Sequence, residues 1–107
     1  ADNHQLTFRH ARGNDWWLHI RDAPGAHVIV PIRGTGPHPE TLQDAAALAV
    51  HHSTLRGEPG VEVMLTQRKH VRAVKGAGPG RVTVASSRTV VPDDVAGRIA
   101  RLEPRRV

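Results

Sequence analysis

The chain has 107 residues, enough for one domain with a real but modest core. Fifteen Lys and Arg against ten Asp and Glu leave a formal charge of +5, so the expected partner is a polyanion, nucleic acid ahead of anionic membrane. The lack of cysteine excludes disulfides, thiolate zinc sites and cysteine catalysis, and no apolar run approaches the roughly 18 residues of a membrane span. No signal-peptide pattern opens the chain, and the expected compartment is the cytoplasm.

Leu6-Thr7-Phe8-Arg9-His10-Ala11 alternates as a first strand, and Arg12-Gly13-Asn14-Asp15 reads as a turn. The next strand places Trp16, Leu18 and Ile20 on one face and Trp17, His19 and Arg21 on the other. One face enters a core; the other presents an aromatic, an imidazole and a guanidinium in a row. Asp22-Ala23-Pro24-Gly25 is turn chemistry, and His27 to Ile32 returns as a β-branched strand. Arg33 to Pro39 is a loop. From Pro39 the period becomes helical: Leu42, Ala45, Ala46, Ala49 and Ser53 make a narrow face of small residues, with Gly57-Glu58-Pro59-Gly60 as the stop.

Val61 to Thr66 alternates as a strand and runs into the basic stretch Gln67 to Lys75, then into Gly76-Ala77-Gly78-Pro79-Gly80. Arg81 to Val91 reads as a hairpin about Ser86-Ser87. Asp93 or Asp94 caps a short last helix carrying Val95, Ile99 and Leu102, and Pro104 to Val107 is a basic tail. The expected class is α+β: a mainly antiparallel sheet of about five to six strands, covered by one main helix, with a short C-terminal helix.

Arg68 to Lys75 is the strongest local signal. Extended backbone puts Arg68, His70 and Arg72 on one face, and helical backbone aligns Arg68, Arg72 and Lys75, so both periods put Arg68 and Arg72 on one side. Paired guanidiniums fork onto phosphate oxygens, and the glycines that follow let backbone N–H groups approach an anion. The competing reading is a solvated cationic face. Trp17, His19 and Arg21 form a second candidate, a stacking surface for unpaired bases; the alternative packs Trp17 under a loop. His19 and His27 are expected neighbours, and His51 and His52 are adjacent on the helix. Neither pair shows the spacing of a metal site, and no metal or cofactor is expected. Without a GxSxG elbow, Walker loop or GxGxxG fingerprint, catalysis finds no support, and no enzyme is expected.

Two motifs carry a family likeness. Asn14, Asp15, Trp17, Leu18, His19, Pro24, Gly25, His27 and Val28 match N-D-x-W-L-H followed by P-G-x-H-V. Arg68, Lys69, Val71, Arg72, Lys75, Gly76, Ala77, Pro79 and Gly80 match R-K-x-V-R-x-x-K-G-A-x-P-G without a gap. In these the chain resembles the NFACT-R domain, the RNA-binding module of NFACT proteins, over about residues 2–91; residues 92–107 add a helix and tail. The resemblance implies binding of tRNA or rRNA, with the large ribosomal subunit a further expected partner, in translation and ribosome-associated quality control. It raises Arg68, Lys69, Arg72 and Lys75 as backbone contacts with Gly76 and Gly80 beside them. His19 and His27 become fixed points that either line a nucleotide pocket or hold the strand connection by hydrogen bonds. The family's N-terminal module, helix-hairpin-helix and coiled coil are not in this sequence, so tailing activity is not assigned to it, and a fragment or short stand-alone member is expected. The runner-up is an RNA-processing or RNA-modifying enzyme, or its substrate-binding part, using His19 and His27 as acid and base. A third reading is a protein-interaction module on the ribosome.

Overall fold

A computed structural model describes residues 13–31, 38–76 and 81–103. The expected strand at Leu6 to Ala11, most of the loop from Arg33, the Ala77 to Gly80 segment and the basic tail lie outside them. Alternation builds β1 (Trp16–Ile20), and the turn behind it folds β2 (Val28–Val30) back antiparallel, with Trp17 opposite Ile29. On the other side of β1 lies β3 (Val63–Gln67), Leu65 opposite Leu18. Three further strands follow: β4 (Val71–Ala73), β5 (Val82–Val84) and β6 (Arg88–Val90). The main sheet has the order β2-β1-β3-β6, and β4 pairs with β5 in a second, two-stranded sheet. Every pairing is antiparallel.

One face of the main sheet is covered by α1 (Pro39–His51). Its Ala45, Ala46, Ala49 and Val50 meet Leu18, Ile20, Val63 and Leu65 in one buried cluster, because small side chains let the helix axis approach the sheet. His38 caps the helix: its Nδ1 accepts a hydrogen bond from the Glu40 N–H at 3.1 Å. A second helix, α2 (Val95–Leu102), begins at Asp94, whose Oδ1 accepts from the Gly97 N–H at 3.2 Å. The α+β class expected from the pattern is the class observed.

Two expectations are corrected. The main helix stops at His51, not at Gly57. The chain leaves helical geometry at His52 because backbone hydrogen bonds tie it to the β1–β2 turn: Ala26 N–H to the His52 carbonyl at 3.1 Å and Thr54 N–H to the Pro24 carbonyl at 3.2 Å. The hairpin is also elsewhere. β5 pairs with β4 about the Gly-rich segment, while β6 pairs with β3, so Ala85 to Ser87 crosses between sheets and is not a two-residue turn. The Thr66 hydroxyl fixes that crossing by donating to the Ser86 carbonyl at 2.5 Å.

Gly25 sits where the turn presses on the end of α1. A Cβ there lies 2.9 Å from the Ser53 Cβ and 3.3 Å from its Cα. Gly25→Ala is therefore expected to lower stability by about 1–3 kcal/mol, the usual cost of overpacking, read as a shifted urea midpoint at unchanged slope.

Charge docks α2 onto α1. The Arg98 guanidinium donates to Glu40 at 2.6 Å, to Asp44 at 2.9 Å and to Asp93 at 2.5 Å, and Arg101 reaches Asp44 at 2.6 Å. The Arg101 hydrogen bond foremost, and then Arg98, hold the Asp44 carboxyl below its ordinary 3.8 against the opposing effect of burial. A depressed carboxyl stabilises the fold above its unfolded value, and that stability is lost as pH falls through the folded value. Denaturation midpoints are expected to hold at about pH 5 and to drop towards about pH 3, with a shallower drop in Asp44→Asn.

Candidate nucleic-acid interface

The basic stretch is neither strand nor α-helix throughout. Arg68–His70 forms a short 3-10 turn that joins β3 to β4. Its N-terminal side is pinned to the loop before β1, with the Arg68 N–H donating to the Asp15 carbonyl at 2.8 Å and the Lys69 N–H to the Gly13 carbonyl at 2.9 Å. The two arginines expected on one side converge on one acceptor: Arg68 Nη1 donates to the Val71 carbonyl at 3.2 Å and Arg72 Nη1 to the same oxygen at 3.3 Å. Arg72 also donates to the Lys69 carbonyl at 2.8 Å. Burial first, and the neighbouring Arg72 charge second, push the Arg68 guanidinium below its ordinary value. Two cations held together by backbone carbonyls repel each other, and an anion placed beside them relieves that repulsion.

From this turn the β4–β5 hairpin projects. The Val74 N–H donates to the Arg81 carbonyl at 2.9 Å, which places Arg81 across from the end of β4, near Lys75 and Gly76. Lys69, Arg72, Lys75, Gly76 and Arg81 are all exposed. Among the described residues Lys69, Arg72, Lys75, Arg81 and Arg88 form no ion pair with a carboxylate. Beside the turn lies an open groove lined by Trp16, Thr66, Gln67, His70, Ser86, Ser87 and Arg88. The Arg88 guanidinium sits 5.7 Å from the centre of the Trp16 ring. This groove was not legible in the sequence, because Trp16 and Arg88 meet only through the β1-β3-β6 order.

The second candidate surface is corrected by packing. Trp17 is 0 % exposed, so its ring offers no face to a base. It stacks on His19 with centroids 5.8 Å apart and planes at 14°, and His27 packs 5.0 Å from it. His19 and His27 are neighbours, 5.1 Å apart, as their strand positions require. The two ring nitrogens of His19 lie 2.6 Å from the Ile20 carbonyl and 3.1 Å from the Gly25 carbonyl, so this imidazole braces the turn. Arg21 lies across the sheet, its Nε donating to Thr89 Oγ1 at 3.0 Å and its Nη2 to Ser87 Oγ at 3.1 Å. The histidines stand towards the far end of β1 from the basic turn, so the ten expected residues do not form one site. Gly80 lies outside the described residues.

Among the described residues, one group has metal-ligating side chains drawn together: His51, His52 and Glu103, on the helical side of the fold. The hydrogen bond from His52 foremost holds the Glu103 carboxyl below its usual range, and burial above all pushes the His51 imidazole down. No described helix is long and apolar enough to cross a membrane.

The fold and the basic turn define a small α+β module whose homologues are much longer proteins. In particular, the chain is homologous to the C-terminal region of the Rqc2 homologues named RqcH, in accord with its two NFACT-R-like motifs. It is 38 % identical to RqcH of Bacillus subtilis over 101 residues, covering 94 % of this chain and 17 % of that protein. With RqcH of Streptococcus suis the identity is 34 % over 88 residues, covering 82 % of this chain and 16 % of the relative. The chain thus spans about one sixth of the length of these relatives. The solved C-terminal part of the fibronectin/fibrinogen-binding protein from Streptococcus suis superposes with a TM-score of 0.77 at 33 % identity, covering 86 % of this chain and 37 % of that one. No protein-family model matches the chain.

Proposed function

We propose that this chain is a non-catalytic RNA-binding module of a cytoplasmic, ribosome-associated quality-control protein, and that it contacts tRNA or rRNA. The observation that carries this reading is the row of exposed cations Lys69, Arg72, Lys75 and Arg81 along the 3-10 turn and the β4–β5 hairpin, which form no ion pair with a carboxylate among the described residues. Arg68, Lys69, Arg72 and Lys75, joined by Arg81 and Arg88, grip phosphates; Trp16 and Arg88 flank a groove beside them. Homology to RqcH proteins supports the setting in translation. Against an acid–base enzyme, both nitrogens of His19 lie within hydrogen-bond distance of backbone carbonyls, those of Ile20 in β1 and Gly25 in the turn. Its neighbour His27 packs on a buried tryptophan.

The test is a salt series of tRNA binding, with single-stranded RNA and duplex DNA as controls. Contact with Z phosphates makes log K fall with log salt at roughly −0.7Z to −0.9Z. A slope of about −4 to −5, with tRNA preferred over duplex DNA, is expected for contacts from these six cations. Equal and weak binding of all three overturns the reading, and ribosome binding that survives RNase points to a protein partner.

A further inference from the structure

The ends of both helices meet in a cluster that the RNA reading does not use. Residues adjacent in sequence on a helix do not face each other, yet His51 and His52 point their Nε2 atoms at one carboxylate. The reason is local: His52 has left the helix, with φ −98° and ψ 35°, because the β1–β2 turn captures the chain at Ser53 and Thr54. The two rings stand edge to face with centroids 4.9 Å apart. Glu103, the residue that closes α2, supplies one oxygen to each: Oε1 lies 2.7 Å from His52 Nε2 and Oε2 lies 3.6 Å from His51 Nε2.

We infer that His51, His52 and Glu103 form a binding site for a divalent transition metal of the Zn(II) class, which clamps the C-terminal end of α2 to that of α1. Two imidazoles and a carboxylate are the donor set of many three-ligand zinc sites, in which water completes the tetrahedron. Ligand bonds of about 2.0–2.2 Å set neighbouring donor atoms roughly 3.3 Å apart, and each imidazole Nε2 lies near that spacing from one Glu103 oxygen, 2.7 Å for His52 to Oε1 and 3.6 Å for His51 to Oε2. The three donor atoms all lie within 4.8 Å of one another. The exposed His52 and Glu103 side chains have the torsional freedom to close the remainder. Arg56 is the cation whose field reaches both His51 and Glu103, and it opposes the metal. Sequence spacing hides the site, since Glu103 stands 51 positions from His52.

The experiment titrates Zn(II) into tag-free, chelator-treated protein by calorimetry and follows Co(II) by visible absorption. One saturable site with a tetrahedral Co(II) spectrum is expected, together with a Zn(II)-dependent rise in melting temperature. His52→Ala and Glu103→Gln are each expected to weaken Zn(II) by at least tenfold, since even outer-sphere partners are worth about 10–100-fold. Both are expected to abolish the melting shift. His38→Asn removes an imidazole elsewhere while keeping a capping side chain, and leaves the affinity unchanged. No saturable binding overturns the site; so does binding that Glu103→Gln and His52→Ala leave intact, which marks an adventitious ion only.

Discussion

Trp17→Ala is expected to lower the melting temperature by roughly 12–25 °C. Trp17 is among the largest side chains with no exposure, and it holds the His19 and His27 rings against the sheet face opposite α1. Emptying such a site removes transfer free energy and leaves a cavity, together about 3–5 kcal/mol. A domain of this size has only about 5–15 kcal/mol in hand. The control is Val91→Ala, an exposed position at 48 %, which is expected to stay within about 0.5 kcal/mol of the parent. If Trp17→Ala melts with the parent, the ring is not buried, and base stacking on it returns as the better account of why a tryptophan stands there.

Reversing the charges of Lys69, Lys75 and Arg81 to Glu is expected to weaken tRNA binding by on the order of 100-fold at moderate salt. All three side chains are exposed and lie outside the hydrophobic core, so the melting temperature is expected to move little. The slope of log K against log salt drops by about one for each phosphate no longer gripped. That slope separates two explanations of a weaker complex. Gripping fewer phosphates flattens it, whereas a displaced turn lowers affinity and melting temperature together. Arg68 and Arg72 are left out of the set because both guanidiniums donate to the Val71 carbonyl and Arg72 also to that of Lys69, so their reversal would disturb the 3-10 turn itself. Binding unchanged by the triple reversal removes the hairpin from the interface.

Several features were legible in residues alone because their causes are local. The alternation of Trp16 to Ile20, the turn at Asp22 to Gly25, the helix opening at Pro39 and an aspartate cap at 93 or 94, which the structure places at Asp94, each depend on neighbours within a few positions. That Arg68 and Arg72 share one side is of the same kind, since either backbone period puts them there, and the 3-10 turn that forms brings both onto one carbonyl.

What the sequence determined by itself, then, was the class of fold, the basic stretch and its pairing, because periodicity and charge are properties of the chain. The tertiary structure alone decided which strand β5 and β6 join, since two β runs separated by a short polar link carry no mark of whether they share a sheet. It also decided that α1 ends at His51, where hydrogen bonds to a turn far back in the chain outweigh helical propensity. Finally it decided the fate of the two tryptophans. Alternation separates their faces, but only the layers packed on each face determine that Trp17 is sealed in while Trp16 borders a groove with Arg88.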